Sequence, residues 1–143
     1  MKTLYTAHAT TIAGRAGHTA TDDKKIDLDL SAPGSDGAGS NPEQLFACGY
    51  SACFGSAVDA AAKKEKIDLK EIAIHADVSL HQDEEKGFFI SVSLNAQLDG
   101  VDDATARQLV EKAHQICPYS KATHGNIDVQ LQVNNQNISA KAA

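Results

Sequence analysis

The sequence predicts an α+β domain in which mostly antiparallel sheet packs around a long buried central helix and a second helix. Three observations carry that prediction. From Gln44 to Val58 no residue is charged, and this stretch follows a helix-start signal. Residues 71–81 and 88–98 each alternate apolar and polar side chains with period two, separated by a charged turn, as in an antiparallel hairpin. Residues 102–117 place Ala106, Leu109, Val110, Ala113 and Cys117 on one side of an amphipathic helix.

Taken in order, residues 4–12 alternate loosely through Leu4, Thr6, His8, Thr10 and Ile12, as a half-exposed strand does. A glycine-flanked turn at 13–18 carries Arg15. Ile26, Leu28 and Leu30 then share a face, with aspartates on the other, so residues 1–31 read as a strand ribbon. Residues 32–41 hold three glycines and a proline and form a loop. Asn41 is the candidate cap of the central helix, with Pro42 at its first position and Glu43 and Gln44 in its first turn. That helix runs from Pro42 to about Lys66. Its lack of charge predicts protein on most of its sides. Gly49 and Gly55 each lower helix propensity by roughly 1 kcal/mol relative to alanine, so tertiary packing must outweigh them. Small side chains at Ala47, Ala52, Ser56 and Ala57 add room for a close neighbour.

In the hairpin, Ile72, Ile74, Ala76, Val78 and Leu80 face the same way as Phe88, Ile90, Val92, Leu94, Ala96 and Leu98. One side packs on helices and the other is polar. Asp102 or Asp103 caps the second helix, and Pro118 ends it. Residues 118–125 form a short further turn, 126–133 a last alternating strand, and 134–143 a fraying tail. The expectation is one domain over 1–143: ribbon 1–31, loop 32–41, helical and sheet core 42–133, tail 134–143.

At 143 residues and 15.1 kDa the chain can bury a sizeable core without staples. Thirteen basic and nineteen acidic residues leave a formal charge of -6, which argues against nucleic acid or an anionic membrane surface as partner. The N-terminus has no apolar h-region of a signal peptide, and no stretch is read as reaching transmembrane length. Three cysteines, an odd number, suit a reducing interior, so the expected location is cytoplasmic.

The cysteines are the first place to look for chemistry. Cys48 and Cys53 stand five positions apart on one helix, about 140° around its axis, so they do not share a face. No CxxC pair occurs, and the spacing suits no tetrahedral metal site. Either sulfur can simply be core, since free cysteine is commonly buried. Cys117, at a helix end before a proline, is either an apolar helix-end residue or an exchange partner. Arg15 is either a solvated turn arginine or, near a cysteine, a charge that favours thiolate. Glu43 either meets the helix dipole or orients the arginine through a bidentate pair. His75 and His81 lie six residues apart on one strand, near 20 Å, and His8, His18, His114 and His124 match no short metal motif. No metal is therefore expected. Phosphate-binding loops and a serine elbow are absent as motifs.

The stretch "NPEQLFACGYSACF" resembles the signature of the organic hydroperoxide resistance proteins, within the wider OsmC-like family of osmotically inducible stress proteins. "GRAG" in the early turn, the glycine-rich loop, and "CPYSKATHGNIDV" near the end agree in the same order, so the resemblance covers essentially the whole chain. It implies an OsmC-like fold and a thiol-dependent peroxidase that reduces alkyl or fatty acid hydroperoxides to alcohols. By matching position, Cys53 is the peroxidatic cysteine and Cys117 the resolving one, while Arg15 and Glu43 hold and activate the thiolate. The resemblance also implies an intertwined homodimer and no bound cofactor. Regeneration falls to dihydrolipoamide or lipoylated proteins, served by the dihydrolipoamide dehydrogenase system. Cys48 departs from the family's usual alanine and is read as a packing residue.

The expected cycle takes Cys53 through a sulfenic acid to a Cys53–Cys117 disulfide, which an external dithiol reduces. Phe46, Tyr50 or Phe54 are candidates for lining an apolar pocket for the alkyl part. On one straight helix, Glu43 and Cys53 lie about 15 Å apart, which suggests that Glu43 serves the thiol of a second subunit and that the sites lie at a dimer interface. The rival readings are a thiol oxidoreductase of another class, a non-enzymatic redox sensor, and a lipid-binding module of the same fold.

Overall fold

The computed structural model describes residues 1–139, and the chain divides into two compact units, Met1–Leu45 and Phe46 onward. In the first, β1 (Ala9–Ile12), β2 (His18–Thr21) and β3 (Asp27–Asp29) form an antiparallel sheet in that order. The strand expected over 4–12 is shorter, beginning at Ala9, and all four of its residues are exposed. The turn between β1 and β2 holds Ala13 and Gly14 in the left-handed region, at φ 59° and 55°. At Gly17 a Cβ would lie 1.8 Å from the Ile12 carbonyl oxygen, so only glycine fits there.

His18 stands opposite Asp29 across the β2–β3 ladder. Its Nδ1 lies 2.8 Å from Asp29 and its Nε2 2.6 Å from Asp27. Two carboxylates on two ring nitrogens call for two N–H donors, hence an imidazolium. Hydrogen bonding to Asp29 and then Asp27 raises its pKa accordingly. The loop folds back so that Ser31 N–H donates to the Ser40 carbonyl at 2.9 Å, which delivers Asn41 to the helix start. There Gln44 N–H donates to Asn41 Oδ1 at 2.9 Å and Asn41 N–H to Gln44 Oε1 at 3.2 Å, a reciprocal capping box.

Helix α1 runs from Pro42 to Lys64 and stops before Lys66, which adopts a left-handed φ of 57°. It does reach the length and apolar composition of a membrane span, contrary to the sequence expectation. Tyr50, Phe54, Val58 and Ala62 recur at helical spacing and are buried, as in the core helix of a globular unit. One side of α1 is nevertheless open in the single chain. Cys48, Ala52 and Ser56 are exposed there, while the small Ala57 is buried.

The second unit carries a four-stranded sheet in the order β4-β5-β6-β7. β4 (Glu71–Asp83) and β5 (Gly87–Asp99) make the expected hairpin, in register from Glu71 opposite Asp99 to Asp83 opposite Gly87. Val92, Leu94, Ala96 and Leu98 supply its buried face. The chain then crosses through α2 (Asp103–Ile116) and α3 (Pro118–Thr123) before β6 (Val129–Val133) pairs parallel to β5. Asp102 caps α2, accepting from Thr105 N–H at 2.7 Å. The tail is more ordered than expected up to Ser139. β7 (Gln136–Asn137) pairs antiparallel with β6, and Ile138 is buried; residues 140–143 of the expected tail lie outside the described residues. The α+β class holds, and among the described residues the β5–β6 pair is parallel while the other strand pairs are antiparallel.

Candidate active site

Cys53 and Cys117, 64 residues apart, meet in the second unit. Cys53 projects from α1, part-buried, and Cys117 is fully buried at the corner between α2 and α3. Both are free thiols, and the Cys117 S–H donates to Cys53 Sγ at 3.4 Å. A disulfide needs about 2.05 Å, so the sulfurs must close by roughly 1.4 Å. The corner is built by the Cys-Pro sequence. Cys117 is extended at φ -61° and ψ 124°, capping α2 through its N–H to the Ala113 carbonyl at 2.8 Å, while Pro118 opens α3.

Burial pushes the Cys53 thiol above its ordinary pKa, the Tyr119 main-chain N–H pulls it back, and Cys117 pushes it up again. Among the described residues, no cationic side chain contributes to this balance. Cys48 is a free, exposed thiol on another face of α1, so it is not the packing residue that the sequence suggests.

An apolar groove of about 430 Å³ opens beside this corner, lined by Phe46, Ile90, Pro118, Tyr119, Ala122 and Ile127 among others. Of the aromatic residues expected to line a pocket, Phe46 does so. Tyr50 and Phe54 do not, because both are completely buried in the core. Tyr119 was missed by the sequence reading. Its ring packs edge-on to Phe46 at 5.9 Å and against Tyr50 at 5.6 Å, and its hydroxyl tip fits against Gly49. The Cys-Pro step was the available signal, since a proline at the first helical position leaves the N–H groups of the residues after it pointing back past the helix start, toward Cys53.

In the first unit, Arg15 and Glu43 form a two-pronged ion pair, with Nη1 donating to Oε2 at 2.8 Å and Nη2 to Oε1 at 2.6 Å. The Glu43 side chain is 11% exposed and Arg15 48%. The arginine hydrogen bonds hold the Glu43 carboxyl below the usual carboxylate range. The pair is what the sequence reading offered for these residues, and the turn at 13–17 is what presents the guanidinium. Among the described residues, no group of three or more His, Cys, Asp or Glu could hold a metal ion.

The sequence matches the OsmC-like protein family over residues 34–132. The organic hydroperoxide resistance protein of Xanthomonas axonopodis pv. citri is 50% identical over 135 residues, covering 91% of this chain and 94% of that protein. The corresponding protein OhrB of Bacillus subtilis is 46% identical over 134 residues, covering 91% and 98%. Its crystal structure aligns with a TM-score of 0.87 over 92% of this chain and 99% of that one. An organic hydroperoxide resistance protein from Legionella pneumophila aligns with a TM-score of 0.88 at 47% identity, over 92% and 98%.

Proposed function

The chain belongs to the OsmC-like family and, within it, to the organic hydroperoxide resistance proteins, and on that premise we propose that it is a thiol peroxidase acting on alkyl or fatty acid hydroperoxides. The observation that carries the reading is the 3.4 Å approach of two free thiols beside an apolar groove. In the first step the Cys53 thiolate attacks the distal peroxide oxygen. The O–O bond breaks, the alkoxide takes a proton and leaves as alcohol, and Cys53 becomes a sulfenic acid. In the second step Cys117 attacks that sulfur, the S–O bond breaks, and water leaves with the Cys117 proton. An external dithiol then reduces the disulfide, with dihydrolipoyl groups as the proposed donor.

Burial alone disfavours the Cys53 thiolate. Arg15 is proposed as the cation that offsets this, oriented by Glu43, with Glu43 serving the thiol of a second copy in a homodimer. The open, small-residue face of α1 is in keeping with a second copy approaching closely. The groove's apolar lining supports organic over inorganic peroxide, and a single cytoplasmic domain over 1–143 remains the proposed organisation.

The test mixes reduced protein with one equivalent of cumene hydroperoxide or hydrogen peroxide and maps thiols by mass spectrometry. Cys53 and Cys117 should be lost together into one disulfide, faster with the organic peroxide. Unreacted Cys53, or a disulfide through Cys48, would sink the assignment. Function surviving Cys53→Ser would point to the binding module, and oxidation without turnover to the sensor.

A further inference from the structure

The corner that carries Cys117 has only one extended residue between two helices, so the direction of its sulfur depends on how α2 and α3 are held together. Three residues before Cys117, His114 sits in the last turn of α2; three residues after it, Ser120 sits in α3. Their side chains join across the corner, with His114 Nδ1 2.9 Å from Ser120 Oγ. Tyr50 reaches in from α1 and places its hydroxyl 2.9 Å from Ser120 Oγ and 3.2 Å from Thr123 Oγ1. Tyr50 is less than one helical turn from Cys53 on the same helix, so one segment bears both the anchor and the other sulfur.

The hydrogen-bond directions can be assigned by counting protons. Thr123 Oγ1 donates to the main-chain carbonyls of Tyr119 and Ser120, at 3.0 and 3.1 Å, so it accepts from Tyr50. Tyr50, having donated its proton, accepts from Ser120, and Ser120 accepts from His114 Nδ1–H. With the Thr123 proton shared by the two carbonyls, this arrangement alone gives each side-chain contact a proton. Burial keeps the Tyr50 phenol protonated and disfavours the imidazolium of His114, so both groups stay neutral partners. Ser120 and Tyr50 are 1% and 0% exposed, which leaves water little access to replace a lost partner.

We propose that His114, Ser120 and Tyr50 form a clasp that positions Cys117 against Cys53, and that the clasp governs closure of the disulfide and not the attack on peroxide. The proposal rests on the peroxidase reading only for the identity of the oxidant. These are positioning residues, since none has a contact with either sulfur in the structure's hydrogen bonds.

The test has two arms. Equilibration with a glutathione redox buffer measures how readily the Cys53–Cys117 disulfide forms, with no peroxide present. Ser120→Ala and His114→Leu should each lower the effective concentration of the pair by about tenfold or more. His114→Asn, whose amide N–H can stand where Nδ1–H stood, should recover most of it. With one equivalent of cumene hydroperoxide, the two damaging variants should consume peroxide within about twofold of the wild-type rate. Their Cys53 sulfenic acid should persist long enough to be trapped by dimedone. An unchanged glutathione equilibrium would overturn the clasp. So would a parallel loss of both steps that tracks a fall in melting temperature, because that is the pattern of general destabilisation. If the wild type consumes no peroxide, the peroxidase reading fails while the glutathione arm still decides the clasp.

Discussion

Replacing Gly49 by alanine sets two opposed effects against each other on α1. The new Cβ would stand 2.7 Å from Tyr119 Oη and 3.2 Å from its Cζ, where carbon contacts settle near 3.5–4.0 Å. The ring tip must therefore retreat by roughly 0.8 Å. Overpacking of this kind costs about 1–3 kcal/mol, and the low end applies here because the moving atoms are the end of a side chain that is 38% exposed. Helix propensity returns about 1 kcal/mol in favour of alanine. The net change should lie within about 1 kcal/mol, or about 4 °C in melting temperature by scanning fluorimetry. The same retreat pushes Tyr119 into the groove that it lines and disturbs the residue whose N–H meets Cys53. Single-turnover consumption of cumene hydroperoxide should therefore slow by roughly tenfold, about 1.4 kcal/mol, with hydrogen peroxide much less affected. A melting temperature lower by more than about 10 °C would show that the ring cannot yield. An unaltered rate with the bulky peroxide would show that Tyr119 does not shape the substrate's path.

Glu43→Gln removes a carboxylate whose folded pKa is depressed, so the stability difference from wild type should be full at neutral pH. It should fade as pH drops through and below the ordinary carboxylate range, read from urea midpoints. His18→Gln should behave oppositely, because Asp29 and Asp27 raise the folded pKa of His18. The difference is present below the ordinary imidazole value near 6.5 and lost as pH climbs above it. Leu94→Ala in the fully buried face of β5 should cost about 2–5 kcal/mol, seen as a lower denaturant midpoint with the slope unchanged. Asn41→Ala breaks the reciprocal cap of α1 and should cost about 1 kcal/mol by the same measurement.

Elements whose chemistry is local were legible from the sequence. Asn41-Pro42 marked the start of α1, Asp102 the start of α2, and strict alternation marked β4 and β5 to within a residue or two. The Arg15–Glu43 pair was one of the readings that the residue types themselves offered, whereas the pairing of Cys53 with Cys117 came from resemblance to a family, because a separation of 64 positions gives periodicity nothing to act on. Burial was misjudged where composition stood in for packing. Cys48 and Ala52 look like core residues yet face outward, and Tyr50 looks like a pocket residue yet is sealed by Ser120 and Thr123. The parallel pairing of β5 with β6 was also hidden, since an alternating segment reads alike in either direction.

That parallel pair bears on when the protein becomes competent. Adjacent parallel strands cannot be joined by a hairpin, so β6 can dock only after the α2–α3 crossover has swung back over the sheet. Cys117 rides on that crossover. A growing or half-folded chain holds Cys53 early but lacks a neighbouring sulfur until this slow, non-local contact closes. Under the proposed chemistry, an oxidant met before then would find Cys53 without Cys117 beside it and could carry it past the sulfenic acid. On the proposed cycle, completion of the crossover would separate a chain whose Cys53 oxidation has no resolving partner from one that can close the disulfide and be restored.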